Sequence, residues 1–208
     1  MFGIEHYTLF LLSGILLNLT PGTDTLYILS RTVAQGKRAG ILSVLGIVSG
    51  VFFHTLFAAF GLSVILMQSA LAFSVVKWLG AGYLIYIGIK SLKSRANPLV
   101  LEQTERTAGK KIYLQGLLTN VLNPKVALFF LAFLPQFIEP DRTTGVLPFI
   151  LLGLTFIVTG TLWNFVLVWG SSLLTRKLRS GSVAKYLNKI SGVVFIGLGI
   201  KLLRTTRT

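Results

Sequence analysis

The chain has no cysteine and only two histidines, and its six acidic residues face 20 basic ones. Without cysteine there is no disulfide framework, thiolate metal site or dithiol electron carrier. Histidines as far apart in sequence as His6 and His54, with so few carboxylates, leave little from which to assemble a metal site. No zinc-type His-Glu-x-x-His, nucleophile elbow or histidine cluster is present, so the sequence is read as a non-enzyme. No cofactor motif or metal-ligand set is expected. Charge of either sign is scarce: 12% of 208 residues, against about 25% in an ordinary soluble domain.

Apolar runs are abundant. Hydrophobic residues make up 53% of the chain and the mean hydropathy is +0.76, so most of the surface is expected to meet lipid. At about 20 residues per span, the length allows six spans and no separate soluble domain. We draw them at about Tyr7–Ser30, Gly40–Met67, Phe73–Ser91, Ile112–Phe137, Val146–Leu174 and Tyr186–Leu203. No basic n-region precedes the first run, which continues past Pro21 and does not read as a signal peptide.

The net charge of +14 does not point to nucleic acid. Arg31, Lys37 and Arg38 follow the first span. Lys90, Lys93, Arg95, Arg106, Lys110 and Lys111 occupy the central connection. Arg176, Lys177, Arg179, Lys185 and Lys189 follow the fifth span. The positive-inside rule places these loops in the cytoplasm and both termini outside. Lys201, Arg204 and Arg207 in the tail oppose that placement and leave a five-span alternative open.

The polar segment Ser94–Gly109 divides the chain nearly in half. We read 1–93 as a first three-helix unit, 94–111 as a cytoplasmic linker and 112–208 as a second unit. Gly88-Ile89-Lys90-Ser91-Leu92 recurs as Gly199-Ile200-Lys201-Leu202-Leu203, and Pro21 in span one matches Pro124 in span four. With three spans in each half, the second enters the membrane from the opposite side. The expected fold is therefore an all-α integral membrane protein built as an inverted repeat, the architecture of alternating access.

The two proline breaks are the candidate site. A proline within a span removes one backbone donor and clashes with the carbonyl four residues earlier, here Leu17 and Asn120. The half-helices beginning after each break present amide groups and a partial positive charge. An amino acid's carboxylate suits these amides and Lys125, and its ammonium suits freed carbonyls and Asp24. Asn18, Asn120 and Asn123 donate and accept without net charge, while Gly22 allows close approach. The candidates are thus Asn18, Pro21, Gly22, Asp24, Asn120, Asn123, Pro124 and Lys125, with His54 and Asn164 at corresponding places in spans two and five. A carboxylate inside a bilayer is costly and generally functional, and the unperturbed pKa of a histidine such as His54 lies in the range a proton relay needs. The structural alternatives are proline kinks, asparagines that join helices, a snorkelling Lys125 and a packed His54. Gly46, Gly50, Gly61, Gly80, Gly82 and Gly88 read as helix-contact residues, and Trp78, Trp163, Trp169 and Tyr83 as packing or interface anchors.

Asn-Leu-Thr-Pro-Gly-Thr-Asp at 18–24 is followed by Gly36-Lys37-Arg38-Ala39-Gly40. Trp78-Leu79-Gly80-Ala81-Gly82-Tyr83-Leu84 and Asn123-Pro124-Lys125 come next, and then Leu134-Pro135-Gln136-Phe137. Together these resemble, over nearly the whole chain, the LysE/RhtB family of bacterial amino-acid exporters. Many members carry a second proline after Pro-Gly, where this chain has Thr23. The resemblance implies a six-span inner-membrane carrier exporting amino acids or close derivatives, driven by the proton gradient. The scarcity of charge within the spans favours a neutral cargo such as homoserine. Divalent metal export and a passive channel are the alternatives. Expected partners are the cargo, protons and the bilayer; the glycine-rich faces permit a homodimer.

Overall fold

In the computed structural model, residues 3–62, 70–93, 107–139, 145–173 and 182–204 are described. Most of the central linker, the end of span two at Met67, and Arg95, Arg106, Arg176, Lys177, Arg179 and Arg207 lie outside them. The described residues are almost entirely helical: α1 (Tyr7–Leu19), α2 (Thr23–Gln35), α3 (Lys37–Leu56), α4 (Ala70–Lys93), α5 (Gly109–Val121), α6 (Pro124–Leu128), α7 (Leu147–Trp169) and α8 (Ser182–Arg204). The helix of α3 widens into a π-turn over Phe57–Leu62. That of α6 widens over Phe129–Phe133 and tightens to a 3₁₀ turn over Leu134–Phe137.

Length and composition identify Lys37–Gly61 and Leu147–Trp169 as helices able to cross a membrane. α1 with α2, and α5 with the helix from Pro124 to Phe137, add two bent candidates, with angles of 48° and 45° at the breaks. Many of the side chains these helices turn outward are large and apolar, among them Phe53, Phe57, Leu122, Val158 and Leu162. So large an apolar surface is tolerable only against lipid or another protein.

Both breaks follow from local chemistry. After Leu19 the backbone turns extended at Thr20, and Pro21 and Gly22 carry it to the start of α2, whose first turn holds Asp24. At the second break Asn123 caps α6, its side-chain oxygen accepting the Lys125 amide at 3.0 Å, and Pro124 occupies the first turn. There its missing N–H costs nothing. Span one extends further than expected: α2 continues to Gln35, so Arg31 belongs to a helix rather than to a loop. Gly36, at φ +83°, then reverses the chain directly into α3, a conformation that favours glycine.

Glycine also sets the closest helix crossings. A Cβ on Gly46 would strike the Tyr113 carbonyl, and one on Gly116 would lie 2.9 Å from the Ser43 carbonyl, so α3 and α5 touch backbone to backbone. Gly88 and Gly192 do the same for α4 and α8: a Cβ on either would lie 2.8 Å from the other's carbonyl oxygen. Gly80 closes on Ala132, whereas Gly82 has nothing within 4 Å. The buried residues form two clusters. One is rich in phenylalanine, with Phe10, Phe129, Phe130, Phe133, Phe137 and Phe156. The other packs Ile28, Leu29, Val44 and Ile47 against Leu167 and Val168.

Candidate functional site

The two breaks meet between these clusters. Asp24, in the first turn of α2, is gripped from across the molecule: Asn120 Nδ2 donates to its Oδ2 at 2.7 Å and Asn123 Nδ2 to its Oδ1 at 3.0 Å. Lys125 reaches back the other way, its Nζ donating to the Thr20 carbonyl oxygen at 2.9 Å. Each break thus sends its charged residue to the other break. Each charge is held by neutral dipoles, and the Asp24 carboxylate and the Lys125 ammonium form no direct ion pair.

The freed carbonyls differ in part from expectation. At the first break the oxygen offered to a side chain is that of Thr20 rather than Leu17, because α1 ends before Pro21. Thr20 closes that end, its amide and hydroxyl both donating to the Leu16 carbonyl. At the second break the Asn120 carbonyl is freed as expected and is then retaken, by the Asn123 amide at 2.9 Å and His54 Nε2 at 3.2 Å. His54 also stacks on Phe130 at 5.8 Å. It therefore braces the second break from α3 and does not line the cavity.

That cavity measures about 30 Å³, room for a water or two. Asn18, Gly22, Asp24, Asn120, Asn123, Lys125 and Asn164 border it, so seven of the ten candidates converge there. Pro21 and Pro124 shape the breaks around it. Its polar lining is unsaturated: Asn18 Nδ2, Asn120 Oδ1 and Thr161 Oγ1 are buried without a partner. Leu17, Ile47, Val51, Val126 and Phe156 supply apolar lining. The arrangement is a small, zwitterionic chamber presenting a carboxylate, an ammonium and free amide groups.

Two glycines fit the asparagines into place. A Cβ on Gly50 would lie 2.6 Å from Asn120 Oδ1, and one on Gly160 would lie 3.3 Å from Asn18 Oδ1. Sequence reasoning took Gly50 for a general helix contact and passed over Gly160, Thr161 and Thr20, whose roles depend on what faces them.

The comparisons with known proteins agree with this architecture. The sequence profile of the LysE type translocators matches residues 15–206. The chain belongs to this family. It is a membrane translocator by family, not an enzyme. An uncharacterized membrane protein of Vibrio cholerae is 32% identical over 200 residues, 96% of this chain and 97% of the relative. The uncharacterized membrane protein YrhP of Bacillus subtilis is 32% identical over 192 residues, covering 87% and 90%. A homoserine/homoserine lactone efflux protein of Salmonella typhimurium is 29% identical over 203 residues, covering 95% and 96%. No solved structure matches.

Proposed function

We propose that the protein exports a small neutral amino acid or a close derivative, homoserine-like in size, from the cytoplasm by proton antiport. The observation that carries this reading is the reciprocal clasp of the breaks: Asp24 on Asn120 and Asn123, and Lys125 on the Thr20 carbonyl. An ammonium and a carboxylate on a cargo are the natural replacements for Lys125 and Asp24 in those two grips. The efflux proteins among the relatives support an amino-acid-derived cargo. At about 30 Å³ the chamber is too small for any amino acid, so loading requires the halves to part.

Alternating access between two inverted three-helix repeats accounts for that parting. Six spans in the bacterial inner membrane, with basic loops in the cytoplasm and both termini outside, complete the picture. The spacing of the supporting residues favours the repeat. Gly50 and His54 on α3 face Asn120 at the second break, while Gly160 on α7 faces Asn18 near the first and Asn164, at the same spacing, borders the chamber. In the cycle, cargo displaces the clasp on the cytoplasmic side, the halves rock, cargo leaves outward, and a proton returning through Asp24 resets the site.

The test is homoserine efflux from loaded proteoliposomes under an imposed proton gradient. Asp24→Asn is expected to abolish gradient-driven efflux. Unchanged efflux removes Asp24 from coupling, and wild-type efflux indifferent to the gradient returns the reading to a passive channel.

A further inference from the structure

Arg31 differs from the other basic residues at its end of the molecule. Lys37, Arg38, Lys110 and Lys111 are exposed, whereas Arg31 is only 7% exposed. Its guanidinium donates to Thr107 Oγ1 at 3.0 Å and to Gln115 Oε1 at 2.8 Å, and it lies 5.6 Å from the centre of the Tyr27 ring. Its Nε is buried without a partner. Among the described residues no carboxylate neutralises it. A buried charge held by neutral groups alone carries a desolvation penalty that a counter-ion would relieve, and the fork of a guanidinium matches a carboxylate.

The space for such a counter-ion is beside it. Arg31 borders a groove of about 530 Å³ between α2 and α5. Thr23, Tyr27 and Arg31 are four apart on α2, and Gln115, Thr119 and Asn123 four apart along the facing segment. Each set therefore forms a stripe along one wall. The groove runs from Arg31 to Asn123 and Pro124, with the exposed Leu118 and Leu122 also in its lining, and Asn123 also borders the central chamber and holds Asp24. Its volume is far larger than the chamber's.

We propose that this groove is a vestibular site in which Arg31 holds the cargo by its carboxylate, before the cargo passes along the Thr119–Asn123 wall to the breaks. The inference rests on the exporter reading, and its test separates the two. Everted membrane vesicles expose the cytoplasmic face, so uptake of radiolabelled homoserine can be compared with that of homoserine lactone, which has no free carboxylate. Arg31→Gln is expected to raise the half-saturation concentration for homoserine about tenfold or more. The change for the lactone should be far smaller and the maximal rate nearly constant, with Arg31→Lys intermediate. Equal effects on both compounds, or on neither, overturn the proposal.

If wild-type vesicles carry neither compound, the exporter reading falls and binding to the purified protein decides the groove. Millimolar acetate or glycine, but not glycinamide, should raise the Tm of the wild type and not of Arg31→Gln. No carboxylate-dependent rise in the wild type refutes the site. A rise given by phosphatidylglycerol alone assigns the groove to a lipid headgroup instead and also overturns the proposal.

Discussion

Substituting alanine for Gly50 adds one carbon where the structure has no room for it. The new Cβ would lie 2.6 Å from Asn120 Oδ1, 2.7 Å from Asn120 Cβ and 3.0 Å from its Cγ. Asn120 is fully buried, and its Cβ is fixed to the backbone of α5, so it cannot swing clear. Relief requires α5 to move or the amide to rotate away from Asp24, breaking the 2.7 Å bond. Overpacking costs about 1–3 kcal/mol, of which alanine's better helix propensity offsets about 1 kcal/mol. The net loss of global stability is therefore about 0–2 kcal/mol. A hydrogen bond to a charged group contributes about 1.5–3 kcal/mol, so its loss in the transport step slows efflux about ten- to a hundredfold. The assay is efflux from proteoliposomes, with Tm in detergent as the folding control. Gly82→Ala serves as the matched control, since a Cβ there meets nothing within 4 Å. Removing the clash from the other side closes the argument: Asn120→Ala alone should be as slow as the double variant. A Gly50→Ala protein with wild-type efflux, or additive losses in the double variant, refutes the reasoning.

Asn123→Ala removes both the cap of α6 and a grip on Asp24, so it should lower stability by about 1 kcal/mol through the cap and transport by more than Asn120→Ala; a loss confined to Tm would contradict this. Lys125→Gln should abolish efflux, and Lys125→Arg should not restore it, because Gly22 lies against the ammonium: a Cβ there would be 3.5 Å from Nζ. Gly88→Leu should lower Tm by separating α4 from α8, whose carbonyls lie too close for a side chain, and equal stability by thermal melting would count against that crossing. Because the native chain is free of cysteine, single cysteines at Lys37 or Lys110 should be labelled by impermeant maleimide only in everted vesicles; labelling in intact cells reverses the orientation.

The breaks were legible in the sequence because proline and glycine act on their own backbone. Pro21-Gly22 and Asn123-Pro124 end and restart a helix wherever they stand, and the structure bends there by 48° and 45°. What each break grips was not legible. That Lys125 takes the Thr20 carbonyl depends on α1 stopping at Leu19 and on the approach of a segment 105 residues away. Gly50 and Gly160 belong to the site only because Asn120 and Asn18 face them. Arg31 misled for a different reason. Charge next to a span end reads as a loop marker, yet Gln115, Thr107 and Tyr27 together supply enough polar contact to keep it inside a helix.

The chamber bears on the proposed coupling. With Asp24 held by two amides and Lys125 by a carbonyl, the empty site carries both charges without joining them. A direct pair would be self-satisfied, and cargo would have to break it before binding. Neutral grips are weaker rivals, and a zwitterion brings its own ammonium and carboxylate to replace them one at a time. The halves are also joined at the end near Ile4, where Glu5 N donates to Phe137 O and Glu139 N to Gly3 O, both at 2.8 Å. At the other end Arg31 and Tyr27 tie α2 to α5. Both ties are sets of hydrogen bonds, and the groove opens beside the second. An anion arriving at Arg31 would compete for the donors that Arg31 now gives to Thr107 and Gln115.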